Sequence, residues 1–204
     1  MQSAIPGNVG WWPINEGSGS TLVDYSPSGK NMTISGSPVW TNGLLGGELL
    51  FTAASSQYAA TATALVLTNY TLSVWAYHSN TTGNQVEIND GNSSASGMLT
   101  YCGGGTLYAQ NSGSGGTTGL IISAGVWYHI CVTYNGTAIN VYTNGVYAQT
   151  KTTSLTAPSG YESIAGAQGS YFSGGISDPR IYNRALGTNE IWLLYGAGRG
   201  CGTQ

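Results

Sequence analysis

Apolar and polar residues alternate along most of this chain. In YTLSVWAYH (70–78), Leu72, Val74 and Ala76 fall on one side and Thr71, Ser73, Trp75 and Tyr77 on the other. In VWYHICVTY (126–134), Val126, Tyr128, Ile130 and Val132 oppose Trp127, His129, Cys131 and Thr133. A period of two belongs to a strand with distinct faces. AINVYTNGVYAQT (138–150) repeats it on both sides of Asn144-Gly145, a favoured two-residue turn, and so predicts a hairpin. Shorter candidates are 9–14, 31–36, 48–53, 57–62, 84–89, 97–102, 106–111, 119–123, 162–166 and 176–183. Many short strands separated by Gly, Ser and Asn predict a sandwich or barrel. Helical spacing is confined to 185–196, where Ile191, Leu194 and Tyr195 share a face and Gly196 is placed to stop the helix. The Gly/Ser stretches 80–84 and 103–119 read as loops too short to be domain linkers. Trp11, Trp75, Trp127 and Trp192 are expected in the core, in alternating strands or on the helix face.

The 204 residues suit one domain, 1–204, with a core over about 8–196 and a tail at 197–204. Only 6% are charged, against about 25% in an ordinary domain, so Ser, Thr, Asn, Gln, Gly and Tyr must form the surface. Such surfaces suit an extracellular or virion setting, although no signal peptide is visible. The net charge of −3, with no basic stripe, argues against nucleic acid. No apolar run approaches the roughly 20 residues of a membrane helix, so no membrane insertion is expected. Weak charge repulsion also permits a homo-oligomer. The three cysteines form neither a disulfide framework nor a zinc pattern, and Cys131, in HICVTY, is expected to be a buried thiol.

Four segments, in order, resemble one known family. They are VGWWPINEGSGSTLVDYSPSGKNMTISG (9–36), GGELLFTAASSQYAA (46–60), YTLSVWAY (70–77) with GVWYHICVTYNGTAINVYTNGV (125–146), and GGISDPRIYNRALGTNEIWLLY (174–195). Together they resemble the laminin-G-like, concanavalin A-like jelly rolls. The resemblance implies an all-β, two-sheet antiparallel jelly-roll sandwich with one short C-terminal helix. The last segment holds Asp178, Arg180, Arg184 and Glu190, four of only 13 charged residues (five Lys/Arg and eight Asp/Glu). The resemblance makes it the closing strand plus helix, with Arg180, Tyr182, Arg184 and Glu190 pinning one to the other.

The family also implies a structural calcium, here on Asp24, Ser26 and Asp178, since calcium takes hard oxygen ligands in flexible geometry. The family's usual Ile-Asp is Ile176-Ser177-Asp178 in this chain, and an offset of one turns a side chain to the other face. The alternative is an Asx-turn at Asp24 with Ser26, and an ion pair from Asp178 to Arg180 or Arg184.

Catalysis finds little support. The paired carboxylates of glycosidases are missing, Glu87 and Asp90 fall on opposite faces by alternation, and His78 and His129 have no evident acid partner. Binding finds more. Fourteen Tyr and six Trp against two Phe supply flat faces with polar edges. Candidate ligand residues are Tyr77, His78, Asn80, Asn84 and Asp90 on one side, and Tyr101, Tyr108, Asn111, Tyr161, Tyr171 and Phe172 on others. The expected function is a non-catalytic lectin-like or surface-adhesion module for a glycan or cell-surface polysaccharide. The alternative is a structural module, such as a phage decoration or fibre domain, that binds virion or surface proteins.

Overall fold

The structure is a computed structural model that describes residues 5–91, 98–110, 117–155, 157–167 and 169–199. The strands are β1 Asn8–Trp11, β2 Thr21–Leu22, β3 Met32–Ser35, β4 Val39–Gly43, β5 Gly46–Phe51, β6 Tyr58–Ala60, β7 Tyr70–His78, β8 Asn84–Asp90 and β9 Met98–Gly103. They continue as β10 Thr106–Gln110, β11 Thr117–Ile121, β12 Trp127–Tyr134, β13 Ala138–Thr143, β14 Val146–Thr152, β15 Glu162–Ile164, β16 Gly166–Ala167, β17 Ser170–Tyr171 and β18 Gly174–Tyr182. A helix, α1, spans Thr188–Arg199.

These form two eight-stranded antiparallel sheets. The first runs β14-β13-β12-β7-β18-β5-β4, with β1 added on β18; the second runs β11-β10-β9-β8-β15-β6-β3-β2. A small hairpin, β16–β17, forms a separate two-stranded sheet packed on β8. The inward residues of the two sheets make the core: Leu72, Val74, Ala76, Ile130, Val132 and Ile176 from the first, Ile88, Cys102, Leu107 and Ile164 from the second. The fold class expected from alternation and resemblance is therefore the one found.

The Asn144-Gly145 turn has φ of 51° and 76°, the left-handed pair that a tight hairpin needs. Helix α1 covers the outer face of the first sheet, burying Ile191 and Leu194 against Cys131, Tyr142 and Tyr182. Cys131 is a buried thiol, as its setting predicts. The bidentate Arg184–Glu190 pair and the Gly187 N–H on Glu190 Oε2 (3.0 Å) tie the strand exit to the helix start. Tyr182, Arg184 and Glu190 thus join strand to helix as expected of the last segment, whereas Arg180 pairs with Asp178 on its own strand.

Two helical expectations fail. The helix continues through Gly196, because a mid-helix glycine costs only about 1 kcal/mol and does not forbid helix. Trp192 is half exposed, since the buried face consists of Ile191 and Leu194. The tryptophan in the deep core is Trp12, fully buried with its indole N–H on Lys30 O (2.9 Å). Trp75 is buried on the outer face of its sheet, where Tyr195 stacks on it at 5.6 Å. Trp11 and Trp127 are only half-buried.

Candidate functional site

Strand β7 ends at His78, and the chain turns through residues 79–83 into β8. The first residues of β8 hold this turn. Gln85 is buried and donates to Asn80 O (2.9 Å), Asn80 Oδ1 (2.9 Å) and Thr82 O (3.2 Å), while its Oε1 accepts the Ser173 N–H (2.9 Å). One amide thus fastens the turn to the chain entering β18. The result is a cleft of about 530 Å³ whose polar lining includes Asn80, Thr82, Asn84, Ser170, Tyr171 and Ser173.

The outer face of the second sheet adjoins it. Tyr101 on β9 and Tyr108 on β10 are cross-strand partners, and their rings stack at 4.7 Å and 11°. Both are half-buried, and Tyr101 leans on Val86 and Ala167. Gly103 joins cleft and pair: a Cβ there would lie 3.1 Å from Asn84 Oδ1, from the Tyr101 ring and from the Tyr108 ring. The absent side chain leaves a gap bordered by the amide and both rings. Farther across the same sheet, Tyr58 packs on Tyr171 at 6.2 Å, beside Tyr161. Burial raises the Tyr101 and Tyr161 hydroxyls above their ordinary range, so both remain protonated donors at neutral pH.

Of the candidate ligand residues, Asn80, Asn84, Tyr101, Tyr108 and Tyr171 therefore come together, and Tyr161 stands nearby. Tyr77 does not join them: it faces outward on the first sheet, against Trp127 at 5.7 Å. His78 is a correction. It is fully buried, its Nε2 lies 2.9 Å from Glu87 Oε1, and Phe172, also fully buried, packs edge-on at 4.8 Å. The histidine thus has an acid partner that spacing did not reveal. The cause is a β-bulge at Glu87 between Val86 and Ile88, which turns the carboxylate into the sandwich. Asp90 is a second correction. It is fully buried beside Glu162, and burial followed by that like charge raises its carboxyl well above the usual range. Glu87 and Asp90 both point inside, so the opposite faces given by alternation do not hold. Asn111 lies outside the described residues.

Asp24 and Asp178 do converge, on Trp11. Asp24 Oδ1 accepts the N–H of Trp11 (2.9 Å) and of Ser26 (2.8 Å). Its Oδ2 accepts Ser26 Oγ (2.9 Å), Ser28 Oγ (2.7 Å) and the Lys30 N–H (2.8 Å). Asp178 sits in a bulge with φ of 49°, taking the Trp11 indole N–H on Oδ1 (2.7 Å) and Arg180 Nε on Oδ2 (2.9 Å). The Arg180 guanidinium lies 4.7 Å over the Trp11 ring. Five donors already fill the Asp24 carboxylate, and the local cation is an arginine, so these residues do not fit calcium. The Asx-turn and the Asp178–Arg180 pair are the arrangement found. Among the described residues, no cluster of three His, Cys, Asp or Glu could hold a metal.

This geometry sets an expectation for metal removal. Thermal melting in calcium and in EDTA should coincide within about 1 °C, whereas Asp24→Asn should cost about 1–3 kcal/mol in either buffer by stranding buried donors. A calcium-dependent rise in melting temperature, lost in the variant, would contradict this account.

Comparison with known proteins places the chain. The model of the concanavalin A-like lectin/glucanases superfamily, laminin G type, matches residues 53–192. No curated protein sequence matches. Among solved structures, domain 4 of AbnA, a GH43 extracellular arabinanase from Geobacillus stearothermophilus, in complex with arabinotriose, is similar at TM-score 0.76 and 19% identity, over 92% of this chain and 98% of that one. The binding domain of botulinum neurotoxin DC in complex with SialylT is similar at TM-score 0.72 and 14% identity, over 95% of this chain and 52% of that one. The Trypanosoma rangeli sialidase is similar at TM-score 0.75 and 14% identity, over 98% of this chain but 34% of that one. The chain thus spans the whole of the arabinanase domain and about half or less of the other two. These likenesses establish a shared sandwich, and the matched family model, covering well over half of the residues, establishes that the chain belongs to the concanavalin A-like lectin/glucanase superfamily.

Proposed function

We propose that this protein is a non-catalytic carbohydrate-binding module whose working surface is the Asn80–Asn84–Tyr171 cleft together with the Tyr101–Tyr108 pair. One observation carries the reading: a cleft of neutral amides and hydroxyls runs, across Gly103, onto a stacked aromatic pair. A sugar needs both parts. Its C–H face packs on an aromatic ring, and its hydroxyls exchange water for amide and hydroxyl partners. The arabinotriose complex of a similar domain supports the reading.

The acids support a role without catalysis. Of the eight Asp and Glu residues, Asp24, Glu48, Glu87, Asp90, Glu162 and Asp178 are buried, and neither Glu16 nor Glu190 lines the cleft. Glycoside hydrolysis by the usual route needs two carboxyl groups flanking the bond to be broken. The uncharged surface suits an extracellular or virion-surface setting, which belongs to the same proposal.

A second reading, a structural module with a protein partner, draws on one patch. Trp192 and Leu193 on α1 and Val146 and Tyr147 on β14 are about half or more exposed.

The test is binding to a glycan array, repeated with Tyr108→Ala. The variant should melt near the wild-type temperature yet bind the best glycan at least about tenfold more weakly, a loss of about 1.4 kcal/mol. Equal binding by the variant would move the site elsewhere, and a protein ligand with no glycan would favour the second reading.

A further inference from the structure

We infer that the glycan this surface takes is a neutral oligosaccharide, not a sialylated, uronic or sulfated one; the inference rests on the carbohydrate-binding reading above. The fold does not settle the matter, since similar domains occur with arabinotriose and with SialylT. The position of charge in this chain does.

The chain has five Lys and Arg residues, and of the four whose side chains are described, Lys30, Lys151, Arg180 and Arg184, none lines the cleft. Lys30 gives its ammonium to Thr63 O (2.9 Å), Thr63 Oγ1 (2.8 Å) and Ala64 O (3.0 Å). Arg180 is held by Asp178, and Arg184 by Glu190. Lys151 lies on β14, the far edge strand of the first sheet, and Arg199 ends α1. Among the described residues, the partners on offer in the cleft are amides, hydroxyls and backbone groups.

A carboxylate or sulfate bound there would lose water without gaining a cation, and desolvating an unpaired charge is costly. A neutral sugar meets no such penalty. Its hydroxyls both donate and accept, matching the two-way capacity of Asn80, Asn84, Thr82 and Ser170. A Cβ on Gly103 would lie 3.1 Å from Asn84 Oδ1 and from both tyrosine rings, so the gap there leaves Asn84 within reach of a sugar seated on the pair.

The test is calorimetric titration of the whole chain and of Tyr108→Ala. The neutral probes are arabino-, xylo- and gluco-oligosaccharides; the anionic probes are sialyllactose, oligogalacturonate and heparin oligosaccharide. A neutral probe should bind at least about tenfold more tightly than any anionic one. Its affinity should change less than about twofold between roughly 0.05 and 0.5 M salt, since no charge pair is there to screen. Tyr108→Ala should weaken it. Tighter binding of an anionic probe, weakened by salt and by Tyr108→Ala, would overturn the inference while leaving the carbohydrate site standing. Neutral binding indifferent to Tyr108→Ala would overturn it at this site, and binding of no glycan would overturn both it and the reading beneath it.

Discussion

Gly174→Ala should cost about 3–5 kcal/mol and leave little folded protein at 37 °C. Gly174 opens β18 and pairs with both Phe51 and His78, at the point where three strands of the first sheet come together. Its φ is 146°, a conformation that L residues rarely adopt, and a Cβ there would lie 1.8 Å from the Tyr77 carbonyl oxygen. The colliding atom is backbone in a central strand, so rotamer changes cannot relieve it. Strain and overlap add, and both exceed what a marginally stable domain can absorb. Chemical denaturation of the variant checks this. A loss below about 1 kcal/mol would mean that β7 and β18 are not in this register.

Acid should destabilise the protein through His129. The ring is buried between Trp75 (5.3 Å) and Tyr195 (6.1 Å), and its Nε2 lies 2.9 Å from Ser73 Oγ. Burial, with a smaller push from Arg180, lowers its pKa from near 6.5 to about 3. The folded state therefore holds the ring neutral while the unfolded chain protonates it. Between about pH 6.5 and 3 the unfolded state binds the extra proton, so stability falls as pH falls, by about 1.4 kcal/mol per pH unit. Asp90, Asp178 and Glu48, all raised by burial, act in the opposite sense. Above the ordinary carboxylate range they bind protons in the folded state and gain stability as pH falls. Their opposition makes the difference between variants the informative quantity. The stability gap between wild type and His129→Gln should narrow or reverse by about 3 kcal/mol from pH 6.5 to 4. A gap independent of pH would show that His129 titrates as if exposed.

What could be read from the sequence followed from how directly local chemistry fixes structure. Strand β7 has the expected bounds of 70–78, because a central strand between two packed layers shows its two faces as strict alternation. Asn144-Gly145 places its hairpin because few other residues take two left-handed positions in succession. The bulges could not be read. The extra residue at Glu87 and the one at Asp178 each break the period of two, and their side chains leave the face that counting assigns. That is why His78 and Asp90 looked like loop ligands: buried polar pairs are held by partners distant in sequence, and spacing does not show a partner. Trp11 and Trp12 posed the same problem, for adjacent tryptophans take opposite faces and only the register decides which one enters the core. The site was half legible. Asn80, Asn84, Tyr101, Tyr108 and Tyr171 carry the right chemistry, but only strand order puts β10, β9 and β8 side by side and sets Tyr171 over β8. Gly103, the gap that joins them, carries no chemical signal at all.

The most direct test of the account is a heteronuclear NMR titration of the whole chain with a neutral oligosaccharide, following backbone amides. The account predicts shifts confined to residues 80–85, 101–108 and 169–173. Shifts centred on Tyr77 and Trp127, or on Trp192 and Leu193, with the cleft silent, would contradict it.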